Sequence, residues 1–334
     1  MHAIRQHAFG PAETLVHEKT EDPEPGPGQL RIAVRAAGVH LLDTAIRSGI
    51  KGPLPELPAL PTIPGREVAG VVDAVGEGTD PGWLGKRVVT HLGFAPGGYA
   101  ELAVVDAAKP HEIPAGLDDA TAVAMIGTGR TALGILLFHE VTADSVVIVP
   151  AAAGGLGTLL VQYAKNAGAT VVGLAGGPEK VALVRDNGAD LAVDYRDGRW
   201  PDEVRAFLGE RRATVVFDGV GGDVARAAID LLGPGGAHIV FGWTAQGLDS
   251  DGGLALTDEE LAERGITSTG VLGPAMMAKA GGANPMRTLE LASLAEAGAG
   301  RLRPALTRFP LASAAEAHRA LESRRTVGKV VLEP

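Results

Sequence analysis

The feature that most constrains the fold of this chain is a glycine-rich turn near the middle of the sequence. Residues 149–157 read Val-Pro-Ala-Ala-Ala-Gly-Gly-Leu-Gly. They end a β-branched run at 145–150 that predicts a buried parallel strand. They precede apolar residues at three- and four-residue intervals, typical of a helix that ends at Gly168. A strand, a small-residue turn and a helix in this order indicate a dinucleotide-binding turn.

Individual positions of this turn have predicted roles. Ala152 takes the first glycine position of the fingerprint, Gly154 the second and Gly157 the third, with Gly155 and Leu156 between them. The second position lacks a side chain so that the backbone can approach a pyrophosphate, and the third permits close packing of helix on strand. The N–H groups of the helix N-terminus then face the phosphates. Alanine at the first position departs from the literal pattern, and the alternative is an ordinary strand-to-helix turn.

The type of cofactor depends on the end of the next strand, where an NAD site places an acidic residue. This chain has Leu-Ala-Gly-Gly at 174–177 and no acid, so Gly176 leaves room for the 2′-phosphate of NADPH. Lys180, just inside the following helix, is the predicted partner of that phosphate. Tyr195 and Arg196 are expected to line the same space. The alternative for Lys180 is a solvated helix lysine, and the sequence favours NADPH over NADH.

Strand and helix patterns alternate through the second half of the chain, which predicts an α/β domain with a doubly wound parallel sheet. The later strands are predicted at 170–174, 191–193, 214–218, 237–241 and 266–271. The first third is richer in β patterns, and a helix at 312–323 and a strand at 329–332 are expected to rejoin it. We predict a mainly β domain at 1–122, completed by 273–334, and a nucleotide-binding domain at 123–272.

Composition disfavours several classes of protein. A formal net charge of −10 disfavours nucleic acid and anionic membranes as partners. The chain has no cysteine, which removes disulfides, thiol nucleophiles and Cys-ligated metal sites. No apolar run approaches the roughly 18 residues that span a bilayer, and the first residues lack the apolar core of a signal peptide. We expect a cytoplasmic protein with a small-molecule substrate.

Several motifs in fixed order resemble one known family. They are Gly-Val-His-Leu-Leu-Asp-Thr-Ala-Ile-Arg-Ser-Gly at 38–49, Pro-Gly-Arg-Glu-Val-Ala-Gly-Val-Val at 64–72, Gly-Gly-Tyr-Ala-Glu at 97–101, the turn at 151–157, Phe-Asp-Gly-Val-Gly-Gly at 217–222 and Glu-Ser-Arg at 322–324. Over nearly the whole chain they resemble the quinone oxidoreductase branch of the medium-chain dehydrogenases/reductases, the group that includes zeta-crystallin. The resemblance implies a GroES-like, mainly β catalytic domain beside a Rossmann domain, with NADPH in the cleft between them. It also implies a homodimer built through the sheet edge at 266–271.

The resemblance assigns further cofactor residues. It implies that Lys180, Tyr195 and Arg324 hold the 2′-phosphate end of NADPH. Gly242 and its neighbour Phe241 would flank the cofactor. Thr131 and Val271 would lie near the nicotinamide.

Two positions depart from the zinc-dependent relatives of this family. Those relatives have cysteine where this chain has His40 and histidine where it has Arg66, so we expect no catalytic zinc. A donor near the oxygen of a reduced substrate lowers the barrier to hydride transfer, and we predict His40 and Arg66 for this role. The alternatives are a hydrogen-bonded structural histidine at His40 and an Arg66 that pairs with Glu67 or Asp43.

Three functions are compatible with these observations. The first is NADPH-dependent, zinc-independent hydride transfer to a quinone or small conjugated carbonyl. The second is reduction of the carbon–carbon double bond of an alkenal, enone or enoyl thioester. The third is an NADPH-binding protein with a structural or regulatory role and little turnover.

Overall fold

The computed structural model describes residues 1–93, 96–242, 254 and 256–334. The chain divides into two compact units. Unit 1 comprises Met1–Gly129, Ser293–Ala299 and Pro304–Pro334; unit 2 comprises Arg130–Ala292 and Gly300–Arg303. The predicted domain bounds, 1–122 with 273–334 and 123–272, stay a prediction.

The first part of unit 1 is mostly strand, as its β-rich sequence predicts. Its strands are β1 His2–Gln6, β2 Leu15–Lys19, β3 Gln29–Val39, β4 Glu67–Val75, β5 Arg87–His91, β6 Leu102–Asp106 and β7 His111–Glu112. Helix α1 spans Leu41–Arg47 and α2 spans Asp119–Ala124, where the carboxylate of Asp118 accepts the N–H of Thr121 and caps the helix. A buried π-helical turn, Met125–Gly129, follows α2.

Unit 2 alternates strands and helices. Its elements are α3 Arg130–Leu136, β8 Val146–Val149, α4 Gly155–Asn166, β9 Thr170–Ala175, α5 Pro178–Asp186, β10 Leu191–Asp194, α6 Trp200–Leu208, β11 Ala213–Asp218, α7 Gly222–Ile229, β12 Leu232–Val240, α8 Asp258–Arg264, β13 Thr267–Gly270 and α9 Pro274–Ala280. The long helix α10, Pro285–Gly298, follows. The chain ends with β14 Leu306–Pro310, α11 Ala314–Glu322 and β15 Lys329–Glu333 in unit 1.

The sheet of unit 2 is parallel and doubly wound, which confirms the predicted fold class. Its described strands run in the order β10-β9-β8-β11-β12-β13, and every neighbouring pair is parallel. This is the Rossmann order, in which the sequence direction reverses between β8 and β11. All four residues of β8 are buried, as the continuous apolar run predicts for a strand covered on both faces. The carboxyl end of β8 leads directly into the glycine turn.

The larger sheet of unit 1 places β15, β3 and β4, which are distant in sequence, next to one another. Its described strands run in the order β14-β15-β3-β4-β5-β7, with β6 also paired to β3. Strand β3 is antiparallel to both β15 and β4, so it separates the last strand of the chain from β4. Side chains such as Ile32, Val68 and Leu332 form the core on which these strands pack. No described helix combines the length and apolar character needed to cross a membrane.

Candidate functional site

The predicted phosphate turn lies between β8 and α4. Ala151 has a left-handed backbone with φ of 53°, so the tight bend falls one residue before the predicted first position. The N–H of Ala152 donates to the carbonyl of Leu174 in β9 at 2.9 Å, and the N–H of Gly154 donates to the carbonyl of Ala151 at 2.9 Å. Left-handed backbone costs alanine more than glycine. The turn is thus held by backbone hydrogen bonds in a conformation that glycine adopts more easily.

Gly157 lies where helix and turn approach most closely. A Cβ at this position would overlap the carbonyl oxygen of Ala151 and would lie 2.7 Å from the Cα of Ala152. Gly154 is the N-cap of α4, and Gly155 and Leu156 form its first turn with part of their surface exposed. N–H groups in the first turn have no acceptor within their own helix. The turn therefore fits a pyrophosphate, which residues 154–157 would bind through backbone amides.

The residues predicted to bind the 2′-phosphate lie at the carboxyl ends of β9 and β10. Gly176 follows β9, Tyr195 follows β10, and half-buried Lys180 lies in the first turn of α5. The N–H of Tyr195 donates to the carbonyl of Ala175 at 3.1 Å, and a Cβ at Gly176 would lie 2.6 Å from the Tyr195 hydroxyl. The absence of a side chain at Gly176 lets the Tyr195 hydroxyl approach the backbone at the end of β9.

An acidic residue that the sequence analysis did not single out lies beside this space. Asp194 ends β10, and its carboxylate pairs with the Arg196 guanidinium at 2.9 Å. The hydrogen bonds from Arg196, together with the N–H of Gly177, hold the pKa of Asp194 well below its usual value. Arg196 therefore offsets a negative charge that would otherwise face a bound phosphate. The signal for Asp194 was its position at the end of the third strand, one strand beyond the usual acid.

The structure places the remaining predicted cofactor residues as follows. Phe241 is buried directly after β12, and Gly242 follows it. A Cβ at Gly242 would lie 2.8 Å from the carbonyl oxygen of Gly219, so a side chain does not fit there. Val271 is buried and donates its N–H to Val240 at 3.0 Å. Thr131 is half-buried in α3 of unit 2, and Arg324 is exposed after α11 of unit 1 with a φ of 55°. Their roles toward a cofactor stay predictions.

In unit 1, the two predicted donors join one polar cluster around Asp43. The Nε of Arg66 donates to Oδ1 of Asp43 at 3.2 Å, which is the pairing considered as an alternative for Arg66. Oδ2 of Asp43 accepts the backbone N–H of His40 at 2.8 Å and the hydroxyl of Tyr99 at 3.2 Å. Burial opposes ionisation of Asp43, but His40 and Arg66 hold its pKa below the usual value. Asp43 is therefore a buried carboxylate that positions both predicted donors.

His40 contacts a buried ion pair that the sequence analysis did not predict. Its Nε2 lies 2.6 Å from Oε1 of Glu67 and 2.7 Å from Nζ of Lys329. Nζ of Lys329 also donates to Oε2 of Glu67 at 2.9 Å. Glu67 begins β4 and Lys329 begins β15, and β3 between these strands ends just before His40. Sequence patterns carry no signal for this cluster, because 262 residues separate Glu67 from Lys329.

The ionisation of this pair follows from burial and mutual attraction. Burial opposes the charge on Glu67, but His40 and Lys329 outweigh it and hold the pKa of this carboxyl well below its usual value. Burial lowers the pKa of Lys329, and Glu67 acts in the opposite direction. The side chain of Lys329 is only 4% exposed, whereas that of His40 is 25% exposed. The cluster thus combines two buried charges with a histidine that reaches the surface.

A second buried chain of polar groups runs from Asp43 toward α11. The Tyr99 hydroxyl lies 3.2 Å from Nε2 of His318, whose Nδ1 lies 3.5 Å from Nη1 of Arg47. Arg47 in turn pairs with Glu322 at 2.6 Å. Burial lowers the pKa of His318 from its ordinary 6.5 to about 4, and nearby Asp43 only partly opposes this shift. His318 is therefore neutral in the folded protein at neutral pH.

We expect His318 to make folding sensitive to acid. Its folded pKa is about 4 and its ordinary value is 6.5, so between these values the unfolded chain binds a proton that the folded chain does not. Stability is then lost as the pH falls from about 6.5 to 4, by about 3 kcal/mol at most for this one group. We predict that His318→Gln reduces the difference in unfolding free energy between about pH 7 and about pH 4.5. An unchanged difference would show that His318 does not contribute.

Unit 1 also has a pocket beside Arg66. It has a volume of about 390 Å³, including space open to solvent, and its lining includes Asp43, Ile46, Leu54, Pro58 and Arg66. The lining also includes the polar residues Gln6, Arg47 and Thr62, and the Arg66 guanidinium bonds the Asp43 carboxylate. Such a mixture suits a small, mostly apolar molecule with one polar end.

The residues at the positions of the zinc ligands of zinc-dependent relatives do not suit zinc. Nε2 of His40 already contacts Glu67 and Lys329, and a guanidinium such as that of Arg66 has no lone pair to offer a metal. Within the described ranges, no group of three or more His, Asp or Glu side chains is arranged to hold a metal ion.

Comparison with known proteins decides the family. Residues 26–115 match the alcohol dehydrogenase GroES-like domain, and residues 155–286 match the zinc-binding dehydrogenase domain. A quinone oxidoreductase of Pseudomonas aeruginosa is 34% identical over 334 residues, which cover 99% of each chain. The chain belongs to the quinone oxidoreductase family. This confirms the resemblance on which the sequence analysis drew.

Two further members of the wider family are similar to this quinone oxidoreductase-like chain. A 2-haloacrylate reductase of a Burkholderia species is 32% identical, over 98% of this chain and 97% of the relative. The crystal structure of Escherichia coli quinone oxidoreductase complexed with NADPH superposes with a TM-score of 0.84 at 27% identity, covering 100% of both chains. The predicted combination of a GroES-like and a Rossmann domain is confirmed.

Proposed function

We propose that this protein is an NADPH-dependent oxidoreductase that transfers hydride to a quinone or a small conjugated carbonyl without zinc. The observation that carries the proposal is the full-length match to quinone oxidoreductases, one of which is seen with NADPH. The glycine turn before α4 supports it, because the backbone there leaves room for a pyrophosphate. The donor set at His40 and Arg66 supports a reaction without a metal.

The cofactor residues of the proposal fall into groups with different tasks. In unit 2, Ala152 and residues 154–157 bind the pyrophosphate, and Gly176, Lys180 and Tyr195 accommodate the 2′-phosphate. Arg196 compensates Asp194 beside them. The proposal also includes Arg324 at the phosphate end, Phe241 and Gly242 beside the cofactor, and Thr131 and Val271 toward the nicotinamide. When bound, NADPH supplies a hydride.

The protein has two tasks in such a reaction, since the cofactor supplies the reductant. It holds the reacting carbons about 3–3.5 Å apart and keeps water away. It also stabilises the anion that the reduced quinone or enone becomes. We assign that second task to His40 and Arg66. Asp43 orients the Arg66 side chain by accepting its Nε–H, and it holds the backbone of His40 by accepting the His40 amide N–H.

We predict that His40→Ala lowers the turnover number by about 100-fold, the lower end of the usual contribution of a positioned acid. The dissociation constant of NADPH should stay the same, because the predicted cofactor residues of unit 2 are unchanged. His7→Ala is the matched control, since His7 is an exposed histidine of unit 1 paired with Glu18. Turnover of His40→Ala equal to that of His7→Ala would rule out His40 as a donor.

A second candidate reaction is reduction of a carbon–carbon double bond, which the match to 2-haloacrylate reductase favours. NADPH deuterated at the transferred position separates the two reactions. An enone or enal reduced at its double bond carries deuterium on carbon in the product. Rapid NADPH oxidation with quinones, together with no labelled product from alkenes, would leave quinone reduction as the function. Tight NADPH binding without turnover would indicate the structural or regulatory alternative.

We further propose a cytoplasmic homodimer. The support is β13, which pairs with β12 on one side and ends the described sheet of unit 2. Thr267, Thr269 and Gly270 of this strand are exposed, as is Leu272 at 44%. An exposed edge strand can pair with the same strand of a second copy.

A further inference from the structure

The ion pair beside His40 occupies space that two glycines provide. A Cβ at Gly38 would overlap Oε2 of Glu67 and would lie 3.1 Å from Cε of Lys329. A Cβ at Gly127, in the π-helical turn, would overlap Oε1 of the same carboxylate. Burying two charges is costly, and similar volumes of apolar side chains are often at least as stable. The backbone is therefore shaped around these charges, which points to a role beyond stability.

The three contacts of this cluster cannot all be hydrogen bonds in one protonation state. Nε2 of His40 faces a potential donor, Lys329 Nζ at 2.7 Å, and a potential acceptor, Glu67 Oε1 at 2.6 Å. One imidazole nitrogen either donates or accepts. The protonation state of Nε2 therefore decides which of the two contacts is a hydrogen bond.

We propose that Lys329 is a positioning residue that recharges His40 with a proton during reduction, while Glu67 holds Lys329 in place. This inference rests on the proposed function and adds the source of the proton. In the step, the N–H bond at Nδ1 of His40 breaks and the proton joins the anionic oxygen of the reduced substrate. Nε2 of His40 takes a proton from Nζ of Lys329, which becomes a neutral amine and regains a proton from water. The substrate gains one hydride and one proton in total.

The step requires one tautomer of His40. Nζ of buried Lys329 lies within hydrogen-bond distance of Nε2 of His40 and Oε2 of Glu67, so while Lys329 is charged the proposal has Nε2 accepting from it and Nδ1 carrying the hydrogen. The exposed quarter of the His40 side chain gives the ring access to a substrate.

The charge state of the cluster also depends on its surroundings. Burial lowers the pKa of Lys329, which makes its ammonium a better acid. Asp43 on α1 raises the pKa of Lys329, and Arg66, before β4, lowers it. His91 on β5 favours the charged form of Glu67, and Tyr99 is a further titratable neighbour. Burial and then Asp43 raise the pKa of Tyr99 well above its usual value, so this phenol stays neutral.

Nitrogen NMR of the intact protein with ¹⁵N-labelled histidine tests the proposal without any turnover. His40→Gln identifies the His40 signals. We expect the hydrogen on Nδ1 at neutral pH in the wild type, and on Nε2, facing Glu67, in Lys329→Met. A wild-type hydrogen on Nε2 would overturn the proposal, whether or not a substrate has been found. Because the position of the hydrogen is measured in the wild-type protein, the test is valid even if Lys329→Met does not fold.

Kinetics separate proton supply from charge alone. Arginine keeps the positive charge but does not give up its proton. We expect Lys329→Arg and Lys329→Met each to lower the turnover number about 100-fold. The turnover number of each variant should be lower in D₂O than in H₂O. NADPH binding should stay unchanged. Lys86→Met, which removes an exposed lysine paired with Glu112, is the matched control. Wild-type turnover in Lys329→Arg would show that only the charge matters and would overturn the relay. A wild type inactive with all acceptors, but with hydrogen on Nδ1, would instead contradict the proposed function.

Discussion

Replacing Gly157 by alanine is expected to disrupt both the stability of unit 2 and its binding of NADPH. The added Cβ would overlap the Ala151 carbonyl and approach the Cα of Ala152 at 2.7 Å, and both atoms are backbone. Backbone cannot yield as a flexible side chain can, so α4 must move away from the turn. Overpacking of this kind costs about 1–3 kcal/mol of unfolding free energy. The same shift displaces the amides of residues 154–156, and we expect NADPH affinity to fall more than tenfold.

The matched control for this variant is Gly198→Ala. A Cβ at Gly198 would have no atom within 4 Å, and its φ is not in the left-handed range. The effect of such a substitution is usually within about 0.5 kcal/mol. Within a helix, alanine is more stable than glycine by up to about 1 kcal/mol. Gly157→Ala would therefore be stabilising if there were space for the Cβ. Denaturant unfolding and NADPH titration of both variants provide the measurement, and equal behaviour of the two would contradict the close packing described for Gly157.

Replacing Lys180 by methionine is expected to remove the preference for NADPH while leaving NADH binding unchanged. Lys180 lies in the first turn of α5, beside Gly176 and Tyr195. A hydrogen bond to a charged group contributes about 1.5–3 kcal/mol, so the affinity for NADPH should fall by about 10- to 100-fold. NADH has no 2′-phosphate and loses nothing. The negative charge of neighbouring Asp194 would remain, paired with Arg196.

Lys165→Met is the control for this second variant. Lys165 belongs to α4 of the same unit and pairs with Asp190 at 2.8 Å, away from the predicted phosphate site. Dissociation constants for NADPH and NADH, measured by titration, give the comparison. Equal losses for both cofactors would place Lys180 outside the 2′-phosphate site.

The sequence predicted unit 2 well because its signals are local. Continuous apolar runs such as 145–150 identify buried strands, and the glycine turn identifies the connection that binds phosphates. Even in this unit, the left-handed backbone of Ala151 could not be predicted from the local sequence, because alanine rarely adopts that conformation. Asp194 was missed because the rule for cofactor choice considers the second strand and not the third.

The polar cluster of unit 1 was only partly predictable. The sequence points to His40 and Arg66 because they stand where zinc-dependent relatives have zinc ligands, and it offers the observed pairing of Arg66 with Asp43 as an alternative. The sequence identifies Lys329 only as the start of the last strand, because its partner lies on β4 and meets it across β3. Such contacts depend on which distant strands pair, and neither periodicity nor local composition predicts that pairing. The hairpin of β1 and β2 was missed as well, since alternation in these short segments is weak.

The most direct test of the proposed function is the rate of NADPH oxidation by the wild-type protein with a panel of quinones, enals and enones, each repeated with NADH. The absorbance of the reduced nicotinamide follows the reaction. We predict turnover with at least one acceptor, and a kcat/KM about tenfold or more higher with NADPH than with NADH, which corresponds to about 1.4 kcal/mol. Tight NADPH binding with no oxidation by any acceptor, or a clear preference for NADH, would contradict this account.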